Sequence, residues 1–416
     1  KRQIQVGALR AYADVLSVPL EIEEFRGAVR RMDETVSVVS PRIWLTETEA
    51  SGEATVDWSD PEVVQASVDL TADLFDTQDL QWLPFPLPPS SGAAHLVLER
   101  TLEGVSLELT DLDVNFERGG TTRGRLGFET AGEFTLRGVV LELQDVSTGI
   151  LDTWIEDSPV PPARLTGPVR VSGPLRTLQV DATLDVDDPD DELGRTVGQV
   201  AGVIHAGDPL GFTGLTVEFD ALDYGWLGRL DPRVPLRGIG SASITGSGTV
   251  GTGLTASGSV NYGFGETTPS SFVFAGTLAG WGPPGVVEAD VELLPLSLDG
   301  VAAEFSGVPL QGTLNGPLRL EGPLEALAIR GDLRSDALDS GEPISVDLKL
   351  NASDPAAGYE ATLSTSGLRL GSVVPSAPED SRLIGRVAFA GSGLSAVLRD
   401  KPPNNSPAGH VELKVR

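Results

Sequence analysis

The chain has 416 residues, 40% of them hydrophobic but only 6% aromatic, and a formal net charge of −30. That length exceeds one ordinary core, so either several domains or one elongated repeat array is expected. The acidic balance excludes nucleic acid as a partner and polybasic docking on anionic lipid, and the absence of cysteine excludes disulfides and thiolate metal sites.

No window reaches the roughly 18 consecutive apolar residues of a membrane helix, and no signal peptide is recognisable. The chain starts at Lys1 and holds a single Met, Met32. It reads as an internal section of a longer protein, with any membrane anchor outside it.

In chain order, the first predicted element is a helix over 7–17, with Leu9, Tyr12, Val15 and Leu16 roughly on one face. Every later element is predicted as a strand, because the apolar residues recur with period 2. Leu107-Glu108-Leu109-Thr110 and Leu141-Glu142-Leu143-Gln144 are short examples, and the run from Leu178 to Asp187 alternates without a fault. Val217-Glu218-Phe219-Asp220, Leu318-Arg319-Leu320-Glu321, the run from Val346 to Asn351 and the run from Val411 to Arg416 continue the pattern. Alternate side chains of a strand point to opposite faces, so each of these strands is dry on one side and wet on the other, as in antiparallel sheet. Forty-nine Gly and 30 Pro supply the turns between them.

A repeat of about 75 residues underlies the strands. Gly167-Pro168-Val169-Arg170-Val171-Ser172-Gly173-Pro174-Leu175-Arg176-Thr177-Leu178 recurs, with seven of twelve positions identical, as Gly316-Pro317-Leu318-Arg319-Leu320-Glu321-Gly322-Pro323-Leu324-Glu325-Ala326-Leu327. Weaker copies begin at Gly92, Gly240 and Gly385. Approximate modules are therefore 1–91, 92–166, 167–239, 240–315, 316–384 and a truncated 385–416 of one elongated array. A Trp/Leu/Val cluster precedes each copy and is read as a segment where the chain crosses from one run of strands to the next. No module has the aromatic bulk to close its own core, so neighbours must stack.

Motifs that carry chemistry are weak. His95, His205 and His410 have no second ligand at metal spacing. No Ser has Gly on both sides at nucleophile-elbow spacing. Gly246-Ser247-Gly248-Thr249-Val250-Gly251 matches a dinucleotide string but has no helical pattern after it, so a phosphate site is not expected. The acidic run Asp185-Val186-Asp187-Asp188-Pro189-Asp190-Asp191-Glu192 has oxygen ligands for calcium, but its central Pro and missing Gly favour a solvated turn. No catalytic residue, metal or cofactor is assigned, and no enzyme activity is expected.

The run from Leu310 to Leu324, its sister from Leu165 to Leu178, and the earlier runs from Val36 to Leu45 and Ala50 to Trp58 resemble the AsmA-like envelope proteins, most closely the TamB (translocation and assembly module) group. The likeness extends from about Pro19 to Ala396 and rests on Gly and Leu at strand spacing. It implies an all-β, elongated, curled antiparallel repeat sheet, an open trough with an apolar inner face. It further implies a periplasmic section tethered to the inner membrane of a diderm bacterium by a part not present here. The implied role is to shield or conduct phospholipid acyl chains between inner and outer membrane, with an outer-membrane β-barrel of the assembly machinery as a further partner. Residues expected to line such a groove are Val169, Val171, Leu178, Val180, Leu184, Ile244, Leu318, Leu320, Leu327, Ile329, Val346, Leu348 and Leu350. With strands about 4.8 Å apart, roughly 35 to 40 strands would span on the order of 150 Å.

Two other readings stay open on the residues alone. One is a structural or adhesive extracellular β-repeat protein with a closed core, although a period near 75 and six Asn do not suit a stacked solenoid. The other is a carbohydrate enzyme on a β scaffold, which lacks clustered aromatics for sugar stacking.

Overall fold

The computed structural model describes residues 4–12, 19–44, 47–59, 65–80, 86–100, 104–130, 133–153, 160–190, 192–207, 209–230, 236–280, 285–304, 310–338, 341–353, 358–391 and 410–414. It separates into two units, Lys1–Asp191 and Glu192–Arg416. Both are almost wholly antiparallel β, the class expected from the alternation.

The first unit is a meander of β1 (Ile4–Tyr12), β2 (Pro19–Met32), β3 (Thr35–Trp44), β4 (Glu49–Asp57), β5 (Gln65–Asp76), β6 (Ser90–Arg100), β7 (Val105–Phe116), β8 (Thr121–Glu129), β9 (Thr135–Ser147), β10 (Arg164–Pro174) and β11 (Leu178–Asp187). The second continues with β12 (Thr196–His205), β13 (Gly211–Asp223), β14 (Ile239–Thr249), β15 (Gly253–Gly263), β16 (Ser270–Ala279), β17 (Val286–Ser297), β18 (Thr313–Pro323), β19 (Leu327–Leu333), β20 (Ile344–Leu350), β21 (Tyr359–Arg369), β22 (Arg382–Gly391) and β23 (His410–Lys414). Within each unit every described ladder joins strands consecutive in sequence, and none closes the sheet on itself.

Two expectations are corrected. Residues 7–12 belong to β1, not to a helix: Gly7 pairs with Glu24 and Tyr12 with Pro19. An 11-residue helix is below the length that holds without packing, and a ladder against the long β2 satisfies the same backbone groups. Residues 13–17 lie outside the described residues. Among the described residues the strand count is 23, not 35 to 40, because most strands run nine to 14 residues, well above the usual length of about 5–6.

Bulges let such long strands bend without ending, and they explain the repeat. β5, β9, β13, β17 and β21 each shift register beside the lead glycine of the next strand. There Phe75 faces Gly92, Leu143 faces Gly167, Leu222 faces Gly240, Leu293 faces Gly316 and Thr365 faces Gly385. Gly316 has φ +132°, and a Cβ there would stand 2.6 Å from the carbonyl oxygen of Asp332. The repeated glycine therefore marks a backbone position that side chains cannot share.

Each bulged strand then ends in a short helical turn: Thr77–Leu80, Thr148–Thr153, α1 (Gly225–Leu230), α2 (Leu298–Glu304) and Leu370–Ser372. Four of these turns are opened by a side-chain oxygen that accepts a backbone N–H two or three residues on. Asp76 accepts from Gln78 at 2.7 Å, Ser147 from Gly149 at 3.2 Å, Asp223 from Gly225 at 2.8 Å and Ser297 from Gly300 at 3.1 Å. The structural repeat is thus four strands and a capped turn. Because four is even, the turns of each unit all fall on one margin of its sheet, here termed the capped margin. The opposite, hairpin margin holds tight connections, including the three-residue 3-10 turn Leu324–Ala326 between β18 and β19.

Candidate functional site: an apolar sheet face

Residues directly paired across antiparallel strands project to the same face, so the registers show which side chains share a surface. In the second unit one cross-strand row runs Val200, Val217, Ile244, Gly258, Phe274, Val291, Leu318, Gly331, Val346, Leu363 and Val387. It crosses β12 to β22 without a polar residue. Ten strand spacings make it roughly 48 Å along the sheet if unbent.

Towards the hairpin margin a second row runs Leu215, Gly246, Ala256, Gly276, Ala289, Leu320, Ile329, Leu348 and Ala361. A third, at that margin, joins Leu254, Leu278 and Val287, and separately Leu327, Leu350 and Tyr359. Towards the capped margin a fourth joins Phe219, Ala242, Val260, Phe272 and Leu293.

The first unit repeats the arrangement. Ala54, Val68, Leu98, Leu107, Phe128 and Leu136 form one row, and Leu70, Leu96, Leu109 and Leu126 form the next. Further along, Val139, Val171 and Val180 pair in one row, and Leu141, Val169 and Ala182 in another.

All thirteen sequence-predicted residues fall on these apolar faces. Ile244, Leu318 and Val346 share the long row; Leu320, Ile329 and Leu348 share the second; Leu327 and Leu350 pair in the third. Val169 and Val171 on β10, with Leu178, Val180 and Leu184 on β11, lie on the first unit's face. Of the thirteen only Leu327 is buried; the other twelve are partly exposed. The residues that sequence reasoning missed include Phe272, Phe274, Gly258 and Gly331 in the second unit. Their local patterns are masked, as by the apolar Val273 between the two phenylalanines, and only the registers assemble them.

Burial across the second unit's face is uneven. Two clusters stand at its capped margin. In one, Leu227 and Leu236 from the α1 connection pack on Leu222, Tyr224, Ala242 and Val260. In the other, Leu338 and Val373 pack on Ala337, Ile344 and Leu368. The Tyr224 hydroxyl donates to the carbonyls of Ser241 at 3.1 Å and Asn261 at 3.0 Å, and burial pushes its pKa up to about 12. The first unit has a denser core, in which Leu107, Leu109 and Phe128 are nearly inaccessible and Phe134 stacks on Phe128 with ring centroids 5.0 Å apart.

The opposite face is charged and paired. Arg123 and Asp113 face each other across β7–β8 at 3.0 Å, Arg170 and Asp181 across β10–β11 at 3.3 Å, and Arg319 and Asp290 across β17–β18 at 2.8 Å. Arg319 also contacts Glu288, and Arg330 pairs with Asp347. These exposed pairs set the wet side of the sheet and add little stability each.

Chemistry-bearing motifs take ordinary places. His95 contacts Asp69 at 3.1 Å, and His205 hydrogen-bonds Thr213 at 2.9 Å; the side chain of His410 lies outside the described residues. Gly246–Gly251 forms the end of β14 and its hairpin, followed by a strand. In the acidic run Asp188 is buried and accepts from the Asp190 N–H at 3.1 Å. Among the described residues no group of three or more His, Asp or Glu could hold a metal, and no helix is long and apolar enough to cross a membrane.

Comparison with known proteins returns nothing. No family model, curated protein or solved structure matches this chain. The likeness to the AsmA-like and TamB proteins therefore rests on the sequence pattern alone.

Proposed function

We propose that the chain is a non-enzymatic scaffold whose apolar face shields or conducts phospholipid acyl chains. In this reading it is a periplasmic section of a diderm envelope protein of AsmA-like type, with its membrane tether outside this sequence and an outer-membrane β-barrel as second partner. The observation that carries the reading is the unbroken row from Val200 to Val387 with its neighbour from Leu215 to Ala361.

Neither row holds a side-chain donor or acceptor. A polypeptide laid along them would leave backbone groups unpaired away from water, and a sugar would lose its hydroxyl hydration. A hydrocarbon has no such groups to satisfy. Keeping it out of water is worth about 0.8 kcal/mol per CH₂, on the order of 20 kcal/mol for two long tails. A face without polar anchors also offers no deep minimum to stall a sliding chain.

The test is lipid extraction and mass spectrometry of the purified chain. Phospholipid should co-purify with the wild type and be lost when Leu320 and Ile329 become Asp. A folded, lipid-free wild type would reject the reading. A closed structural repeat is the second reading, favoured locally by the near-inaccessible Leu107, Leu109 and Phe128 of the first unit.

A further inference from the structure

One position of the repeat carries Phe134 in the first unit and Gly285 in the second, and from that difference we propose that Phe134 is a plug. Its ring closes the apolar face over β6–β8 to hydrocarbon, whereas Gly285 leaves the face over β15–β17 open to an acyl chain. The inference rests on the lipid reading above and adds which stretches of the face a chain can occupy.

Three observations carry it. First, the two residues hold the same place. The Leu175 N–H donates to the Phe134 carbonyl at 3.1 Å and the Leu324 N–H to the Gly285 carbonyl at 2.8 Å, and Leu175 and Leu324 are matching positions of the repeated Gly167 and Gly316 motifs. Second, Phe134 reaches over the face from the β8–β9 connection. It packs on the cluster of Leu107, Leu109 and Phe128 and stacks on Phe128 with centroids 5.0 Å apart and planes at 27°. Leu87, from the β5–β6 connection on the capped margin, packs on the same cluster. Third, exposure follows the plug. Leu107 and Phe128, paired across β7–β8, are 1% and 3% exposed; Leu254 and Leu278, the matching pair across β15–β16, are both partly exposed. Gly285 puts no side chain over them, and the second unit's Leu227 and Leu236 pack only at the capped margin. A hydrocarbon could reach Leu107 only by displacing a stacked aromatic pair, and its contacts there would replace those Phe134 already makes. Beside Gly285 it would cover apolar surface still facing water, which is favourable.

The test is acyl-chain photocrosslinking. The full chain is equilibrated with vesicles of phosphatidylcholine carrying a diazirine near the end of one tail, irradiated, and its crosslinked peptides are mapped by mass spectrometry, with circular dichroism as the check on folding. In the wild type, crosslinks should fall on β15–β17 at least twofold more than on β6–β8. Phe134→Ala should raise those on β6–β8 at least twofold and leave β15–β17 unchanged, and Gly285→Phe should lower those on β15–β17 by a similar factor. Equal crosslinking of the two stretches in the wild type, or a folded Phe134→Ala with β6–β8 still dark, overturns the plug while leaving lipid binding intact. A rise on both stretches in Phe134→Ala also overturns it, because it would report general loosening. No crosslink anywhere in folded wild type overturns the lipid reading, and this inference with it. Should Phe134→Ala not fold, Phe134→Leu, which keeps apolar bulk but loses the ring stack, is read by the same criteria.

Discussion

Truncating one leucine in each unit distinguishes a face packed by protein from one left open. Leu107 is 1% exposed, lies between Leu98 and Phe128 in its row, and belongs to a cluster against which Phe134 packs. Leu107→Ala removes the transfer energy of the lost methyl groups and leaves a closed cavity, so about 3–4 kcal/mol of destabilisation is expected. Leu320 lies between Ala289 and Ile329 in its own sheet, partly exposed. Without a layer above it no closed cavity forms, and the transfer energy of a half-covered side chain gives about 1–1.5 kcal/mol. The difference of about 2 kcal/mol is readable by urea unfolding, with hydrogen exchange in β6–β8 and in β18–β19 assigning each effect to its own unit. A cost for Leu320→Ala equal to that for Leu107→Ala would refute the reasoning, because it would place packed protein over Leu320.

Other predictions address the repeat and its turns. Thr148→Val should cost about 1–3 kcal/mol, since the hydroxyl donates to the Pro161 carbonyl at 3.0 Å and accepts the Ala163 N–H at 2.9 Å in a buried site; Thr148→Ser should recover most of it in the same denaturation assay. Gly316→Val should cost about 1–3 kcal/mol because of its φ and the nearby Asp332 carbonyl, while Gly358→Ala, with nothing within 4 Å, should stay within about 0.5 kcal/mol. Tyr224, whose pKa rises from 10.0 to about 12 in the fold, stabilises it fully below pH 10 and loses that contribution as pH climbs through 12. The stability difference between wild type and Tyr224→Phe should therefore shrink over that interval, and a constant difference would count against burial as the cause.

Much of the fold was legible in the sequence because alternation is a local signal. The run from Leu178 to Asp187 declares a strand with one dry face, and β11 is that strand. The repeated glycine was visible as spacing, but its meaning was not: it faces a bulge on a strand some twenty residues earlier, and register is a long-range property. The capped turns were read only as Trp/Leu/Val crossings, because the capping oxygen alternates between Asp76, Ser147, Asp223 and Ser297. The predicted helix failed for a related reason. Leu9, Tyr12, Val15 and Leu16 fit one helical face loosely, and nothing local announces the partner strand Pro19–Met32. For the site, alternation names single apolar positions strand by strand, and the continuous rows emerge only when glycines such as Gly258 and Gly331 are seen to bridge bulky neighbours.

The even count of strands per module has an evolutionary corollary. Inserting or deleting one whole module returns the chain to the same margin, heading in the same direction, with the same face dry. An odd-stranded insertion would send the next capped turn to the opposite margin. Length in this architecture is therefore adjustable in steps of four strands, about 19 Å each at the ordinary strand spacing, without redesigning any junction. A protein required to match a fixed gap could be tuned by duplicating such a unit, and the seven shared positions of twelve in the Gly167 and Gly316 motifs are what such duplication followed by divergence would leave behind.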